Sequence, residues 1–252
     1  MNLEQLSEDC MTIAIEAGHA ILEIYKQDDL GVEIKSDDSP LTLADKASHE
    51  VIMKGLLEFD YPILSEEGKE MSYDERKDWT TYWCVDPLDG TKEFINRNGE
   101  FTVNIALISD GKPVLGVIYV PVKDTIYIGV DGVGAKKGED GILDPIKVKW
   151  RDDNRIAVRS KSHANPAEEE ILEKYNVTDA MSVGSSLKFC MVAEGKADVY
   201  YRHGPTMEWD TAAGQAVVEA AGGTVYKGNT EDELFKYNKE NLLNGSFLVL
   251  GK

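Results

Sequence analysis

The chain has 252 residues, 42% of them hydrophobic and 29% charged, which is enough to bury a substantial core and leaves no biased tract that would argue for long disorder. Its 46 acidic residues outnumber 27 basic ones, and a formal net charge of −19 repels polyanions, so nucleic acid and anionic membrane surfaces are not expected partners. Cys10, Cys84 and Cys190 are widely separated, with no CxxC spacing and no paired histidines, which argues against a disulfide framework or a zinc site and for three buried thiols.

Met1 to Gln5 lacks the basic start and apolar run of a signal peptide, and no apolar stretch approaches the ~20 residues of a membrane span, so a cytoplasmic location is expected. Leu6, Cys10, Ile13, Ala14, Ala17, Ile21 and Ile24 recur at helical spacing and predict a long first helix closed by Gly31. A short strand at Val32 to Lys35, the polar loop Ser36 to Pro40 and a second amphipathic helix from Thr42 to about Phe59 follow. Ile63-Leu64 then leads to Ser65-Glu66-Glu67. Tyr82 to Val85 predicts a buried strand that stops at Asp86-Pro87, and Thr102 to Ile108 with Val114 to Val120 predicts a hairpin turned by Asp110 to Pro113.

Tyr127-Ile128 adds a further expected strand. Gly129 to Gly141, with five glycines and several charges, is expected to be an exposed connection. It stands near a boundary between an N-terminal α+β half, 1–140, and a C-terminal α/β half, 141–252. Beyond it, strands are expected near Ile146 to Val148, Ile156 to Val158 and Val199 to Tyr201. Helices are expected from Pro166 to Tyr175, Ser186 to Ala193 and Thr211 to Ala221, the last opened by Asp210 and ended by Gly222-Gly223. Pattern alone therefore gives an α/β or α+β fold.

The chemistry concentrates at Asp86-Pro87-Leu88-Asp89-Gly90-Thr91. Proline stiffens the turn, and if Gly90 reverses the chain, both carboxylates and the Leu88 carbonyl can enter one pocket as the hard oxygen ligands Mg²⁺ prefers. The same residues also favour an ordinary surface turn, and the spacing is not that of an EF-hand. Glu66-Glu67 at a strand end is either solvated or neutralised by metal. Thr42-Leu43-Ala44-Asp45 reads as a capping box and Asp210 as an N-cap, so each acid has a structural reading beside a functional one.

Taken together, Ile34-Lys35, Leu41 to Asp45, Leu64 to Glu67, Val85 to Thr91 and Trp209 to Ala213 resemble the lithium-sensitive, metal-dependent phosphatases, which include inositol monophosphatases and 3′(2′),5′-bisphosphate nucleotidases. Val85 to Ile108 and Gly184 to Gly195 are most similar to the bacterial bisphosphate nucleotidases, which convert adenosine 3′,5′-bisphosphate to AMP. The resemblance is weakest at about Lys69 to Lys77, Gly132 to Asp144 and Thr230 to Asn241. It implies a layered αβαβα sandwich of the inositol monophosphatase and fructose-1,6-bisphosphatase type. It also implies a phosphatase acting on a small nucleotide bisphosphate, monomeric or homodimeric.

Carried over residue by residue, the resemblance implies one Mg²⁺ on Glu66, Asp86 and the Leu88 carbonyl and a second on Asp86, Asp89 and Asp210, with room for a third near Glu66 and Glu67. Asp45 and Thr91, with Glu66, are implied to handle the attacking water, and the Gly90 and Thr91 N–H groups to meet the phosphoryl oxygens. Ser160, His163, Ser185, Lys188 and Arg202 match positions that contact the nucleotide, Lys188 and Arg202 being suited to a second phosphate. Lys161 departs from the usual Ser-Arg-Ser-His run. Competing readings are an inositol monophosphatase or broad sugar-phosphate phosphatase on the same core, and a non-catalytic nucleotide- or metal-binding protein.

Overall fold

The computed structural model describes residues 2–35, 40–160 and 167–252. Its first helix, α1 (Leu3–Tyr25), is capped by the Asn2 side chain, which accepts from the Gln5 N–H at 3.3 Å, and buries the stripe Cys10, Ile13, Ala14, Ala17 and Ile21. A two-residue ribbon of β1 (Glu33–Ile34) and β2 (Pro40–Leu41) leads to α2 (Leu43–Leu56), whose capping box is formed by Thr42 and Asp45 as the sequence predicts.

Next come β3 (Ile63–Ser65), α3 (Tyr73–Arg76), β4 (Thr81–Asp89), α4 (Thr91–Ile95), β5 (Thr102–Ser109) and β6 (Lys112–Val120). A short 3₁₀ turn, Pro121–Lys123, then leads to β7 (Thr125–Val130), β8 (Gly134–Glu139) and β9 (Ile142–Ile146). These strands form one seven-stranded sheet in the order β3-β4-β5-β6-β7-β8-β9, antiparallel except for the parallel β3–β4 pair. The remaining chain supplies β10 (Arg155–Ser160), α5 (Ala167–Lys174), β11 (Val177–Val183), α6 (Leu187–Ala193), β12 (Val199–Arg202) and β13 (Thr206–Met207). After these come α7 (Glu208–Ala220), β14 (Thr224–Lys227), β15 (Leu243–Asn244) and β16 (Phe247–Leu250). Strands β11-β10-β12-β16-β14 make a second, five-stranded sheet.

Alternation along the strands builds the layers. In β5, Val103, Ile105 and Leu107 face the core under α1 and α2, whereas Ala106 and Ile108 face the core shared with α6, α7 and the second sheet. A third cluster, Ala157, Ile171, Tyr175, Val199, Leu248 and Leu250, packs the far face of the second sheet against α5. The order is helices, sheet, helices, sheet, helix: the αβαβα sandwich. The middle cluster joins residues of both halves, so α6 and α7 are a shared layer.

Four sequence expectations are corrected. Gly129 to Gly141 is not an exposed connection: Gly129 lies within β7, Gly134 to Glu139 is β8, and the β8–β9 hairpin carries the first sheet to Ile146, past the expected division at 140. Here glycine serves close packing and tight turns rather than a linker. The strand expected at Ile146 to Val148 ends at Ile146. Strand β4 runs on through Asp86 and Pro87 to Asp89. Asp210 is the third residue of α7, not its N-cap, because the helix begins at Glu208.

Gly116 and Gly129 are register partners on β6 and β7 and form a trough for α7. A Cβ on Gly129 would lie 2.5 Å from the Val217 Cα and 2.6 Å from the Ala216 carbonyl oxygen, and one on Gly116 2.5 Å from the Ala213 carbonyl oxygen. These are backbone atoms, which cannot rotate aside. Gly129→Val is therefore expected to lower unfolding free energy by about 1–3 kcal/mol, read from urea denaturation. An unchanged midpoint would contradict this helix–sheet contact.

Candidate active site

The site begins with a register shift. Along an ideal strand, residues three apart face opposite sides, which would separate Asp86 from Asp89. In β4, however, Asp86 pairs with Asn104 and Asp89 with Thr102, so β4 spends one residue more than β5 over this stretch. Asn104 and Thr102 are two apart and share a face. The bulge therefore turns both aspartates to the same side, toward α6 and α7. Inside it, the Leu88 N–H donates to Asp86 Oδ1 at 3.0 Å while the Leu88 side chain anchors in the core under α1 and α2.

Two further acids join from other elements. Ser65 on β3 pairs with Val85, and the Glu66 N–H donates to the Val85 carbonyl at 3.1 Å, which sets Glu66 beside Asp86. Asp210 arrives from the first turn of α7, where its Oδ2 accepts the Met207 N–H at 2.7 Å. Glu66, Asp86 and Asp210 each bring a carboxylate oxygen to within 4.8 Å of the others. Burial, reinforced by neighbouring carboxylates, pushes Asp86 and Asp210 well above the usual carboxylate range. Burial likewise raises Glu66, opposed by the Lys35 ammonium. Such a donor set is costly when all its members are ionised, and its hard oxygens fit a divalent cation such as Mg²⁺.

Asp89 is held differently. Its Oδ2 accepts from the Ser186 hydroxyl at 2.6 Å and from Asn104 Nδ2 at 3.4 Å, and the same Asn104 group donates to Ser186 Oγ at 2.8 Å. Asp45 is 2% exposed, and its Oδ2 is fixed by the Thr42 N–H at 2.7 Å and hydroxyl at 2.6 Å, leaving Oδ1 for the Thr91 hydroxyl at 3.4 Å. Burial raises the Asp45 carboxyl against these hydrogen bonds. Capping and function are thus one arrangement here. Glu66 and Glu67 have a partner that the sequence reading did not see: Lys35 Nζ donates to Glu66 Oε1 at 3.0 Å and to Glu67 Oε1 at 2.5 Å.

Beside the acids lies a cavity of about 170 Å³ whose lining includes Asp89, Asp210, Gly90, Ser185, Lys188 and Arg202. Lys188 is buried, not a solvated helix residue. Its Nζ donates to the Ser185 carbonyl at 2.6 Å and stands 5.8 Å from the Tyr200 ring centroid, and burial pushes its pKa down to about 8. Arg202 keeps a buried Nε without a hydrogen-bond partner among the described residues. Ser185 is held at φ 43, an uncommon left-handed conformation for a non-glycine residue, with its hydroxyl 3.4 Å from that of Thr102.

The structure therefore brings Glu66, Asp86, Leu88, Asp89, Asp210, Asp45, Thr91, Gly90, Ser185, Lys188 and Arg202 to one region. Ser160 ends β10. His163, with Lys161, lies outside the described residues. Sequence reasoning missed Ser186, Asn104 and Lys92, which also lines the cavity. Lys92 directly follows Thr91 and could have been suspected, whereas the contact of Ser186 with Asp89 depends on packing between helix and sheet.

One buried and one half-buried acid on a bulged strand, a third on the shared helix and a cation-lined cavity on an αβαβα sandwich describe a metal-dependent phosphatase scaffold. The sequence profile of the inositol monophosphatase family matches residues 2–249, and the chain belongs to that family. It is 48% identical over 243 residues to the 3′(2′),5′-bisphosphate nucleotidase CysQ of Escherichia coli K12, covering 94% of this chain and 96% of that one. The crystal structure of CysQ from Bacteroides thetaiotaomicron superposes with a TM-score of 0.88 at 46% identity, covering 100% of this chain and 98% of the other. An inositol monophosphatase from Anabaena superposes with a TM-score of 0.77 at 26% identity, covering 99% and 91%. No helix among the described residues is long and apolar enough to cross a membrane.

The acid cluster has a consequence for stability. Carboxyls whose folded-state pKa is raised stabilise the fold at low pH and lose that contribution as the pH rises through the raised values. With EDTA present, the melting temperature is expected to be higher near about pH 5 than near about pH 8, and added Mg²⁺ is expected to raise it most at the higher pH. Thermal melts at both pH values check this; a metal-free stability contribution that grows with pH from this cluster would contradict it. Asp86→Asn separates the cluster from the other titrating groups.

Proposed function

We propose that the protein is a Mg²⁺-dependent 3′(2′),5′-bisphosphate nucleotidase, removing the 3′-phosphate of adenosine 3′,5′-bisphosphate to leave AMP. The observation that carries this reading is the pairing of an acid cluster centred on buried Asp86 with a cavity whose wall holds three basic side chains, Lys92, Lys188 and Arg202, the last two from the second half. A substrate with one phosphate to be cleaved needs the acids and their metal, and a second phosphate needs cations of its own. The much higher identity to the two CysQ proteins than to the inositol monophosphatase supports the same choice.

In this reading Glu66, Asp86 and the Leu88 carbonyl would hold one Mg²⁺, and Asp86, Asp89 and Asp210 would hold a second. When bound, the metal supplies positive charge that stabilises the phosphoryl group and acidifies water. Lys35 already bridges Glu66 and Glu67, which supports two ions rather than three. Asp45 accepts the proton of the attacking water, relayed by the Thr91 hydroxyl. Thr42 keeps the carboxylate turned for that task, and burial makes it more basic than a solvated aspartate. Ser186 and Asn104 orient Asp89. Lys188, Arg202 and Ser185, with Ser160 and His163, receive the nucleotide. The first half thus supplies most metal ligands, and the second supplies Asp210 and the substrate contacts.

Purified protein is expected to release phosphate from adenosine 3′,5′-bisphosphate in strong preference to inositol 1-phosphate, only with Mg²⁺; the reverse preference would overturn the substrate assignment. Lys188→Ala should raise KM for the bisphosphate far more than for 3′-AMP, which lacks the second phosphate. Asp45→Asn is expected to lower kcat by about 10²–10⁴-fold while the Mg²⁺-dependent rise in melting temperature persists. Activity near that of the parent in this variant would remove Asp45 from the mechanism.

A further inference from the structure

Asp210 poses a mechanical problem. It is a half-buried carboxylate facing Asp89 and Glu66, which repel it when all three are ionised, so without metal the charged form is favoured to turn out of the cluster. What opposes that rotation is the Met207 N–H, which donates to Asp210 Oδ2 at 2.7 Å. One oxygen is thereby committed, and the direction of the other follows. The aim of Asp210 is only as firm as the Met207 peptide.

The backbone at Met207 is held by pairing with β15 and by one buried side chain. Asn244, 2% exposed on β15, donates from Nδ2 to the Met207 carbonyl at 2.7 Å, and the same nitrogen stands 3.2 Å from each of the Thr206 and Thr211 hydroxyl oxygens. It thus spans the approach to α7 and the first turn of that helix, on either side of Asp210. Its Oδ1 accepts from Lys239 Nζ at 2.8 Å. Lys239 is in turn held by Glu208 at 2.6 Å, and Glu208, fully buried, also accepts the N–H groups of Asn238 at 2.8 Å and Lys239 at 3.0 Å. The Glu208 N–H donates to the Leu242 carbonyl at 3.1 Å, and Thr206 and Met207 pair with Asn244 and Leu243 in a β13–β15 ribbon.

We propose that Asn244 is a positioning residue that sets the aim of Asp210, and through it the affinity of the acid cluster for a divalent cation. Asn244 belongs neither to the acid cluster nor to the lining of the adjacent cavity. Its amide has donors for the carbonyl and hydroxyl oxygens around Met207 and an acceptor for Lys239, a combination that neither a carboxylate nor an aliphatic side chain supplies. Partners of this kind behind a metal ligand typically change affinity by about 10–100-fold when removed. The proposal rests on the reading of Asp210 as a metal ligand.

The test is calorimetric titration of Mg²⁺ into the full-length protein, paired with melting temperatures in EDTA and in Mg²⁺, for the parent, Asn244→Ala, Asn244→Asp, Asn238→Ala and Asp210→Asn. The Asn238 side chain lies in the same network but reaches toward α3, bonding the Arg76 and Trp79 carbonyls at 2.9 Å and 3.4 Å, so it controls for general loosening of the segment. Both Asn244 variants are expected to weaken Mg²⁺ binding by about 10–100-fold, with most of kcat recovered at saturating Mg²⁺, while Asn238→Ala lowers the melting temperature without that loss. Should Asn244→Ala fail to fold, Asn244→Asp, which keeps size and the Lys239 contact, carries the test. Parental affinity in a folded Asn244 variant, or an equal loss in Asn238→Ala, overturns the positioning role. Parental affinity in Asp210→Asn instead overturns the ligand reading of Asp210 and this proposal with it.

Discussion

Carboxylates that repel one another sit at the middle of this molecule, and much of the surrounding architecture keeps them together. Asp86 is fully enclosed between β5, α7 and the end of β3, with Glu66, Asp89 and Asp210 as its charged neighbours. A cluster of this kind favours protonation unless a cation joins it, so the fold carries a local instability that metal relieves. Each acid is accordingly tethered: Asp86 by the Leu88 N–H, Asp89 by Ser186, Asp210 by Met207 and Glu66 by Lys35. The tethers come from different layers. Loss of packing in any one of them would be felt at the cluster.

The shared middle layer explains how the two halves act as a unit. Helix α7 presses small residues into the glycine trough of the first sheet while its opening turn delivers Asp210. Helix α6 starts one residue after Ser186, so the contact that orients Asp89 and the lysine that faces the cavity belong to the same short element. Close approach at Gly116 and Gly129 is therefore as relevant to the site as the acids are. A side chain there would displace the helix on which Asp210 is mounted.

Much of the site was legible in the sequence because its residue types are unusual in company: an Asp-Pro-x-Asp-Gly-Thr run, an acid pair at a strand end and a Trp-Asp pair opening a small-residue helix. The capping box at Thr42 to Asp45 was legible too, and the structure adds that the bond spent on capping is also what orients Asp45 toward Thr91. What was not legible came from long-range partners. Lys35 meeting Glu66 and Glu67, Ser186 reaching Asp89, and Asn244 holding Met207 each join positions 30 or more residues apart. Gly129 to Gly141 misled for a related reason: glycines chosen for turns and for a packed helix look locally the same as those of a linker.

By itself the amino-acid order determined the elements with a strong period, the acids available for metal, and the family whose motifs they match, because these depend on local pattern and residue chemistry. Only the tertiary structure decided that Asp86 and Asp89 face the same way, since that follows from a one-residue bulge defined against β5. It also decided that Lys188 is a buried cation and not a solvated one. Both outcomes depend on what lies opposite in space, and a sequence read one residue after another does not contain that information.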